Sequence, residues 1–283
     1  MKPSPTTTTP SALITGCGKG GIGHALAAEF RRHGYAVFAT LLAHEPTEHL
    51  KEIGVATFVA DVTNNDHILK LREEISVVTK GTLDVLVNCA GIAYTIPATD
   101  TQIPEVEKMF AVNVFGPMRM VNIFHPLIIT SKGKIVNIGS VGGIVPYVYG
   151  ASYNASKAAL HHWGDTLRVE MKPFGVSVVN IISGEVSTNI LKRDQASGRK
   201  LPEGSVYMPL AKEFEGHVGR VPNTTPPEVY ARSVVAEIMK KNPSAWFWTG
   251  ASTSLVRFID TFLPRTTWDR LFIRWFGLDA LRK

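Results

Sequence analysis

The chain predicts a doubly wound α/β fold, a parallel sheet of about seven strands flanked by helices, and three observations carry that expectation. Short β-branched or apolar runs alternate with longer segments of helical period, the pattern of βαβ units. A glycine-rich turn follows the first run and opens an amphipathic segment. The 283 residues, 45% hydrophobic and 19% charged, suit one such domain of about 250 residues.

In order, the strand candidates are Ala12 to Thr15, Ala36 to Leu41, Thr57 to Val59, Val85 to Asn88, Lys134 to Ile138, Val176 to Ile182 and Ala245 to Thr249. Helices are expected to begin near Gly21, Asn65, Glu105, Tyr149 and Pro226, the last at a proline pair that suits a first turn needing no N–H donor. Residues 11–250 then form one Rossmann-like catalytic domain, with no internal repeat or dividing linker. Ser187 to Pro222 is too long and polar for an ordinary connection, and is expected to be a lid over a substrate. Residues 1–10 are polar, lack the blocks of a signal peptide, and read as a flexible arm on a cytoplasmic protein. Residues 251–283 are left as a basic, aromatic, helical extension.

The composition sets aside general disorder, a collagen-like repeat and a disulfide-stapled miniprotein. Two cysteines, Cys17 and Cys89, point to a reducing compartment, and no Cys/His cluster has zinc-ligand spacing, so no metal is expected. Of the net charge of +6, half lies in residues 255–283, with six Lys/Arg against three Asp. No nucleic-acid-binding module accompanies that charge.

In the segment from Thr15 to Ala27, Gly16, Gly18, Gly20, Gly21 and Gly23 sit between the first strand and the first helix. Glycines there let the backbone turn tightly and approach a pyrophosphate, which rests against free N–H groups at the helix start. A carboxylate at the end of the second strand would favour NAD by binding its ribose hydroxyl. Phe38-Ala39-Thr40-Leu41-Leu42 has none before Glu45, while Lys19 could neutralise a 2′-phosphate, so NADPH/NADP+ is expected rather than NADH.

Tyr153 and Lys157 are four apart at a helix start and share a face. Ser140 lies just past the strand Lys134 to Ile138, at the carboxyl edge where ligands of such sheets bind. An ammonium about 4 Å from a phenol contributes about 4 kcal/mol at an effective dielectric of 20, enough to lower its pKa by about 3. Tyr153 would then be the acid in ketone reduction, Ser140 would hydrogen-bond the carbonyl oxygen, and Lys157 would also hold the nicotinamide ribose.

With these residues in place, the chain resembles the short-chain dehydrogenase/reductase family from Ala12 to about Gly250. The matching residues are Thr15-Gly16 with Gly21-Ile22-Gly23, Asp61-Val62, Asn88-Cys89-Ala90-Gly91, Val112-Asn113-Val114, Ile138-Gly139-Ser140, Tyr153-Asn154-Ala155-Ser156-Lys157 and Val186-Ser187-Thr188. The resemblance implies a catalytic set of Asn113, Ser140, Tyr153 and Lys157, with Asn113 bending its helix and holding a water in the proton relay. The loop reading already places cofactor contacts at Gly16, Lys19, Gly21, Ile22 and Gly23, with Thr40 at the end of the second strand; the resemblance adds Asp61 and Val62 at the adenine. Asn88, Ala90 and Gly91 would lie beside the cofactor, and Val186 and Thr188 at its carboxamide.

Within the family the sequence is most similar to the fungal NADPH-dependent 1-acyldihydroxyacetone-phosphate reductases and related reductases of secondary metabolism. The markers are Gly20 to Ala27, Met109 to Gly116 and Phe276-Gly277-Leu278. Leu42 stands where relatives often carry Arg for the 2′-phosphate. Ser183 replaces the usual Pro, and Cys89 the usual second Asn.

The expected activity is reduction of a ketone or aldehyde by hydride transfer. The reverse reaction, an NADP-dependent alcohol dehydrogenase, and an NADP(H)-binding scaffold or non-redox catalyst are the alternatives. The expected partners are a small carbonyl or alcohol substrate, a homo-oligomer partner, and a membrane surface met peripherally through 255–283. That segment, with Phe258, Phe262, Trp268, Phe272, Trp275 and Phe276, suits covering the cleft or a partner subunit somewhat better than the membrane surface. Cys17 and Cys89 read as reduced thiols near the cofactor, His161 and His162 as packing or surface residues, and Tyr147 and Tyr149 as pocket-lining candidates.

Overall fold

A computed structural model describes residues 9–188, 190, 196–220 and 224–281. Most of the expected arm (1–8), parts of the expected lid (189, 191–195, 221 and 222) and Arg282 and Lys283 of the tail lie outside the described residues.

The strands are β1 (Ser11–Ile14), β2 (Ala36–Leu41), β3 (Ala56–Val59), β4 (Val85–Asn88), β5 (Lys134–Ile138), β6 (Ser177–Ser183) and β7 (Trp246–Thr249). They form one sheet in the order β3-β2-β1-β4-β5-β6-β7, parallel throughout. The order reverses between β1 and β4, and the crevice above their carboxyl ends is where such sheets bind ligands.

Period-two alternation divides each central strand between two apolar layers. Ala12, Ile14, Val85, Val87, Val136, Ile138, Val179 and Ile181 face α1 (Ile22–Arg32) and α8 (Pro227–Ile238), where Phe30 and Tyr230 are fully buried. Leu13, Leu86, Ile135 and Val178 face α3 (Asn65–Thr79), α5 (Gly116–Ser131) and α6 (Ala151–Met171). Asn64 starts α3 as expected from its residue type, its Oδ1 accepting from the N–H of Asp66 (2.9 Å) and His67 (3.1 Å).

The helix expected near Glu105 begins at Ile103 as α4 (Ile103–Phe110) and reaches α5 through a π-helical turn, Ala111–Phe115. The helix expected near Tyr149 begins at Ala151, because Tyr149 adopts a left-handed φ of 65° that a helix does not continue through. The expected lid is partly helical, with α7 at Ala211–Val218. After β7, the short helices α9 (Thr253–Phe262) and α10 (Thr267–Trp275) complete a third apolar cluster over the carboxyl end of the sheet. A further short helix, α2 (Glu48–Lys51), precedes β3. Among the described residues no helix is long and apolar enough to cross a membrane.

Candidate active site

The glycine loop is fixed by backbone approaches that side chains would block. Gly16 takes a left-handed φ of 72°, and a Cβ there would come within 2.7 Å of Ala90 Cα. A Cβ on Gly23 would come within 2.5 Å of the Gly16 carbonyl, so the first turn of α1 lies directly on the loop. Gly21 caps α1 without a side-chain hydrogen bond, so the start of α1 opens onto the loop, where a helix N-terminus favours an anion, while the Gly23 N–H is turned toward the Cys89 thiol. Thr15 ties the loop to β4, its Oγ1 accepting from Cys89 N (3.0 Å) and Ala90 N (3.1 Å).

At the end of β2, Thr40 is buried and its Oγ1 accepts from Gly16 N (3.4 Å), so its side chain holds the loop from behind. Glu45, beyond the strand by residue count, folds back so that its carboxylate accepts from Leu42 N (3.0 Å). A carboxylate is therefore present beside the strand end after all, opposite in charge to the exposed Lys19. Asp61 accepts from both the N–H and hydroxyl of Thr63 (2.8 Å each), and Val62 is buried against Gly116.

Asn88 begins a polar belt that sequence reading missed beyond its first member. Its Nδ2 donates to Asn137 Oδ1 (2.9 Å), and Asn137 Nδ2 donates to Asn180 Oδ1 (3.1 Å). The three are register partners on β4, β5 and β6. Gly164 of α6 lies over them, where a Cβ would fall 2.3 Å from Asn180 Oδ1. Asn88 Oδ1 is buried and has no hydrogen-bond partner among the described residues. Two backbone approaches, an open helix start and this orphaned acceptor fit a dinucleotide lying across the crevice.

The four expected catalytic residues converge where β5 ends and α6 begins. Asn113 lies in the π-helical turn, which supplies the expected bend, and is fully buried. Its Oδ1 accepts from Ile92 N (2.9 Å), while Nδ2 donates to Ile92 O (3.0 Å) and Ser156 Oγ (3.1 Å). Both amide hydrogens are thus committed, and its side chain has no donor left for a relay.

Ser140 Oγ accepts from Gly142 N (3.0 Å), which leaves the hydroxyl proton to be donated. Lys157, 6% exposed, donates to Ile138 O (2.9 Å) and lies 5.8 Å from the centroid of the Tyr153 ring. Burial lowers its pKa to about 8. The expected lowering of the phenol is not found. Burial holds Tyr153 above its ordinary value, and the Ser140 hydroxyl is the group that pulls it back down. The ammonium is instead committed to the Ile138 carbonyl.

His161, read as a packing or surface residue, is buried and its Nε2 accepts from Ser140 N (3.2 Å), whereas His162 is exposed. Cys17 lies within the glycine loop and Cys89 beside it, and burial raises both thiols, Cys89 to about 12, so neither ionises near neutral pH.

Tyr147 and Tyr149 join the lid to the tail. Tyr149 meets Phe214, His217 and Phe276 with ring centroids 5.1, 5.6 and 5.5 Å away, and Tyr147 meets Phe272 at 5.5 Å. Trp268, Phe272 and Phe276 of the tail face inward, so α10 covers this side of the fold, while Phe258, Phe262 and Trp275 stay exposed. Glu185 and Arg220, near the two ends of the 187–222 segment, form an ion pair. Val186 and Thr188, expected at the cofactor carboxamide, are both buried, and Val186 bridges to Thr225. A cleft of about 300 Å3 between the loop after β4 and the lid is lined by Tyr94, Asp100, Arg199 and Lys200, with Ser140 and Tyr153 outside its lining.

A glycine-cradled crevice beside a Ser, Tyr, Lys and Asn group on a parallel sheet defines a dinucleotide-dependent oxidoreductase of the Rossmann type. Residues 10–198 match the short chain dehydrogenase family, and the chain belongs to it. The short-chain dehydrogenase anuB of Penicillium roqueforti is 63% identical over 260 residues, 92% of this chain and 90% of that protein. The NADPH-dependent 1-acyldihydroxyacetone phosphate reductase of Schizosaccharomyces pombe is 41% identical over 202 residues, 71% of this chain and 68% of the relative. A short-chain dehydrogenase of Burkholderia cenocepacia, solved in complex with NADP, superposes with a TM-score of 0.73 at 20% identity, over 94% of this chain and 98% of that one. At that identity the likeness bears on the fold alone.

Proposed function

We propose that this chain is an NADPH-dependent carbonyl reductase that converts a ketone or aldehyde to an alcohol, with Tyr153 as the proton donor. The observation that carries the reading is the convergence of half-buried Tyr153 and Ser140 with the buried Lys157 at the carboxyl end of β5, beside the glycine loop.

NADPH, when bound, would supply the hydride. The loop from Gly16 to Gly23 and the start of α1 would hold its pyrophosphate, Lys19 its 2′-phosphate, and Asp61 and Val62 its adenine. Asn88, Ala90, Gly91, Val186 and Thr188 would line the nicotinamide side. The S. pombe relative's name supports the choice of NADPH, as does Lys19, against the nearby carboxylate of Glu45.

The chain's own chemistry is proton handling. Ser140 donates its hydroxyl hydrogen to the carbonyl oxygen, stabilising the charge that develops there. Tyr153 then transfers its phenolic proton to that oxygen. The phenol, held above its ordinary pKa, is protonated at neutral pH, the state a proton donor needs. Lys157 stands beneath the ring as an ammonium and stabilises the phenolate left behind. Asn113 keeps Ile92 and Ser156 fixed around the pair.

The test is NADPH oxidation over a panel of acyl-dihydroxyacetone phosphate, steroid, polyketide and terpenoid ketones, repeated with Tyr153→Phe. Loss of the phenol should lower turnover by at least about 100-fold. Near-normal turnover by Tyr153→Phe would refute the mechanism, and NADPH binding without turnover of any carbonyl would favour a binding scaffold.

A further inference from the structure

We propose that His161 is a positioning residue of the catalytic group, holding Ser140 in place opposite Tyr153 through the main-chain N–H of Ser140; the proposal rests on the carbonyl-reductase reading of that site. Tyr153, Lys157 and His161 follow one another at intervals of four along α6, so one face of the helix carries a phenol, an ammonium and an imidazole. The Tyr and Lys act at the reacting atoms. His161 reaches back to the strand that delivers the serine.

His161 is 3% exposed, and its Nε2 lies 3.2 Å from Ser140 N. The Ser140 carbonyl and hydroxyl oxygens face the following turn, accepting from Gly143 N (2.9 Å) and Gly142 N (3.0 Å). Besides the contact of its hydroxyl with Tyr153, the hydrogen bond to His161 is a main-chain tie from Ser140 to the helix that bears Tyr153. It fixes the distance between the two groups that must share one carbonyl oxygen.

The surroundings are cut to fit this ring. A Cβ on Gly139 would lie 2.1 Å from His161 Nε2, and one on Gly143 would lie 2.6 Å from Cε1. Packing alone does not require an imidazole here. Its Nδ1 is buried without a hydrogen-bond partner among the described residues, a destabilising feature that a hydrocarbon ring of similar size would not carry. With Nε2 accepting, the proton belongs on Nδ1. Burial and the Lys157 ammonium lower the imidazole pKa to about 3, which keeps that lone pair available.

The proposal is tested by two variants of His161. His161→Phe keeps a ring without an acceptor, and His161→Gln keeps an acceptor without the ring. His161→Phe should lower kcat about tenfold while KM for NADPH stays within about twofold, and His161→Gln should recover most of the loss. In a Ser140→Ala background, His161→Phe should cost little more, because the residue acts through Ser140. Multiplying losses, or equal rates for the Phe and Gln variants, would overturn the proposal. A second measurement needs no turnover: nitrogen-15 spectra of imidazole-labelled protein should show the His161 proton on Nδ1, and a proton on Nε2 would overturn the proposal even if His161→Phe fails to fold. Absence of carbonyl turnover by the parent would sink the functional reading and leave the tautomer result to decide the hydrogen bond.

Discussion

The cofactor crevice and the aromatic cap over it are held together by different physics. In the crevice, position is set by main chain against main chain: Gly23 on the Gly16 carbonyl, Gly16 on Ala90, and Thr15 bridging to Cys89 and Ala90. In the cap it is set by rings meeting rings, with Tyr147 and Tyr149 packed against Phe214, His217, Phe272 and Phe276. A main-chain approach has one solution for each residue, whereas a ring cluster spreads its energy over many partners. The crevice is accordingly demanding at single positions. The cap is demanding in total volume.

The sharpest way to break the contrast is Gly23→Val. A side chain there meets backbone, which cannot move aside, so NADPH affinity measured by fluorescence titration should fall by at least about 1,000-fold, or about 4 kcal/mol. Binding within tenfold of the parent would mean that the loop yields and the two regions do not differ in kind. In the cap, Phe272→Ala should destabilise by about 3 kcal/mol in urea unfolding, yet leave NADPH affinity within about twofold. A large loss of NADPH affinity in that variant would show that the cap also shapes the crevice.

Lys157 belongs to neither packing regime and tests their junction. Its pKa is lowered from 10.5 to about 8 because burial penalises the ammonium. Between those values the unfolded chain holds the proton more tightly than the folded one, so this residue makes stability rise with pH from about 8 to 10.5. The parent should gain up to about 1.4 kcal/mol per pH unit over that interval relative to Lys157→Met, followed by urea unfolding. Equal pH profiles would mean that the ammonium is not desolvated. The smallest effect expected is at the open end of the crevice, where Leu42→Arg should improve kcat/KM for NADPH about tenfold and leave NADH unchanged. No change would place the 2′-phosphate away from the end of β2.

The same contrast explains what could be read from the residues alone. Strands that feed the crevice were legible because alternation and the glycine turn are local signals. Ala36–Leu41, Val85–Asn88 and Lys134–Ile138 coincide with their expected bounds, and β6 and β7 shift by one residue. The lid half of the cap was legible only as a long polar interruption, since α7 is eight residues with Phe214 its one buried side chain, whereas the tail half was announced by its aromatic residues. Nothing local announces that Phe214 and Phe276 meet across Tyr149. The positions of Tyr153, Lys157 and Ser140 followed from spacing, but the height of the phenol's pKa did not, because burial and the Ile138 carbonyl are properties of the assembled site. Glu45 was passed over because distance along the chain hid a turn that returns it to Leu42. Asn137 and Asn180 leave a readable trace in the sequence. β4, β5 and β6 each carry a Val-Asn pair, and three polar residues recurring at one point of three apolar strands mark a shared level of the sheet.

That shared level limits how this lineage can vary. Replacing Asn137 with Val would leave Asn88 Nδ2 without its acceptor and Asn180 Oδ1 without its donor in the middle of the sheet, about 1–3 kcal/mol for each stranded group. An apolar belt would be reached safely only by exchanging the residues together, through intermediates less fit than either end. The asparagines therefore stand or fall as a unit: three positions far apart in the sequence, tied by two hydrogen bonds.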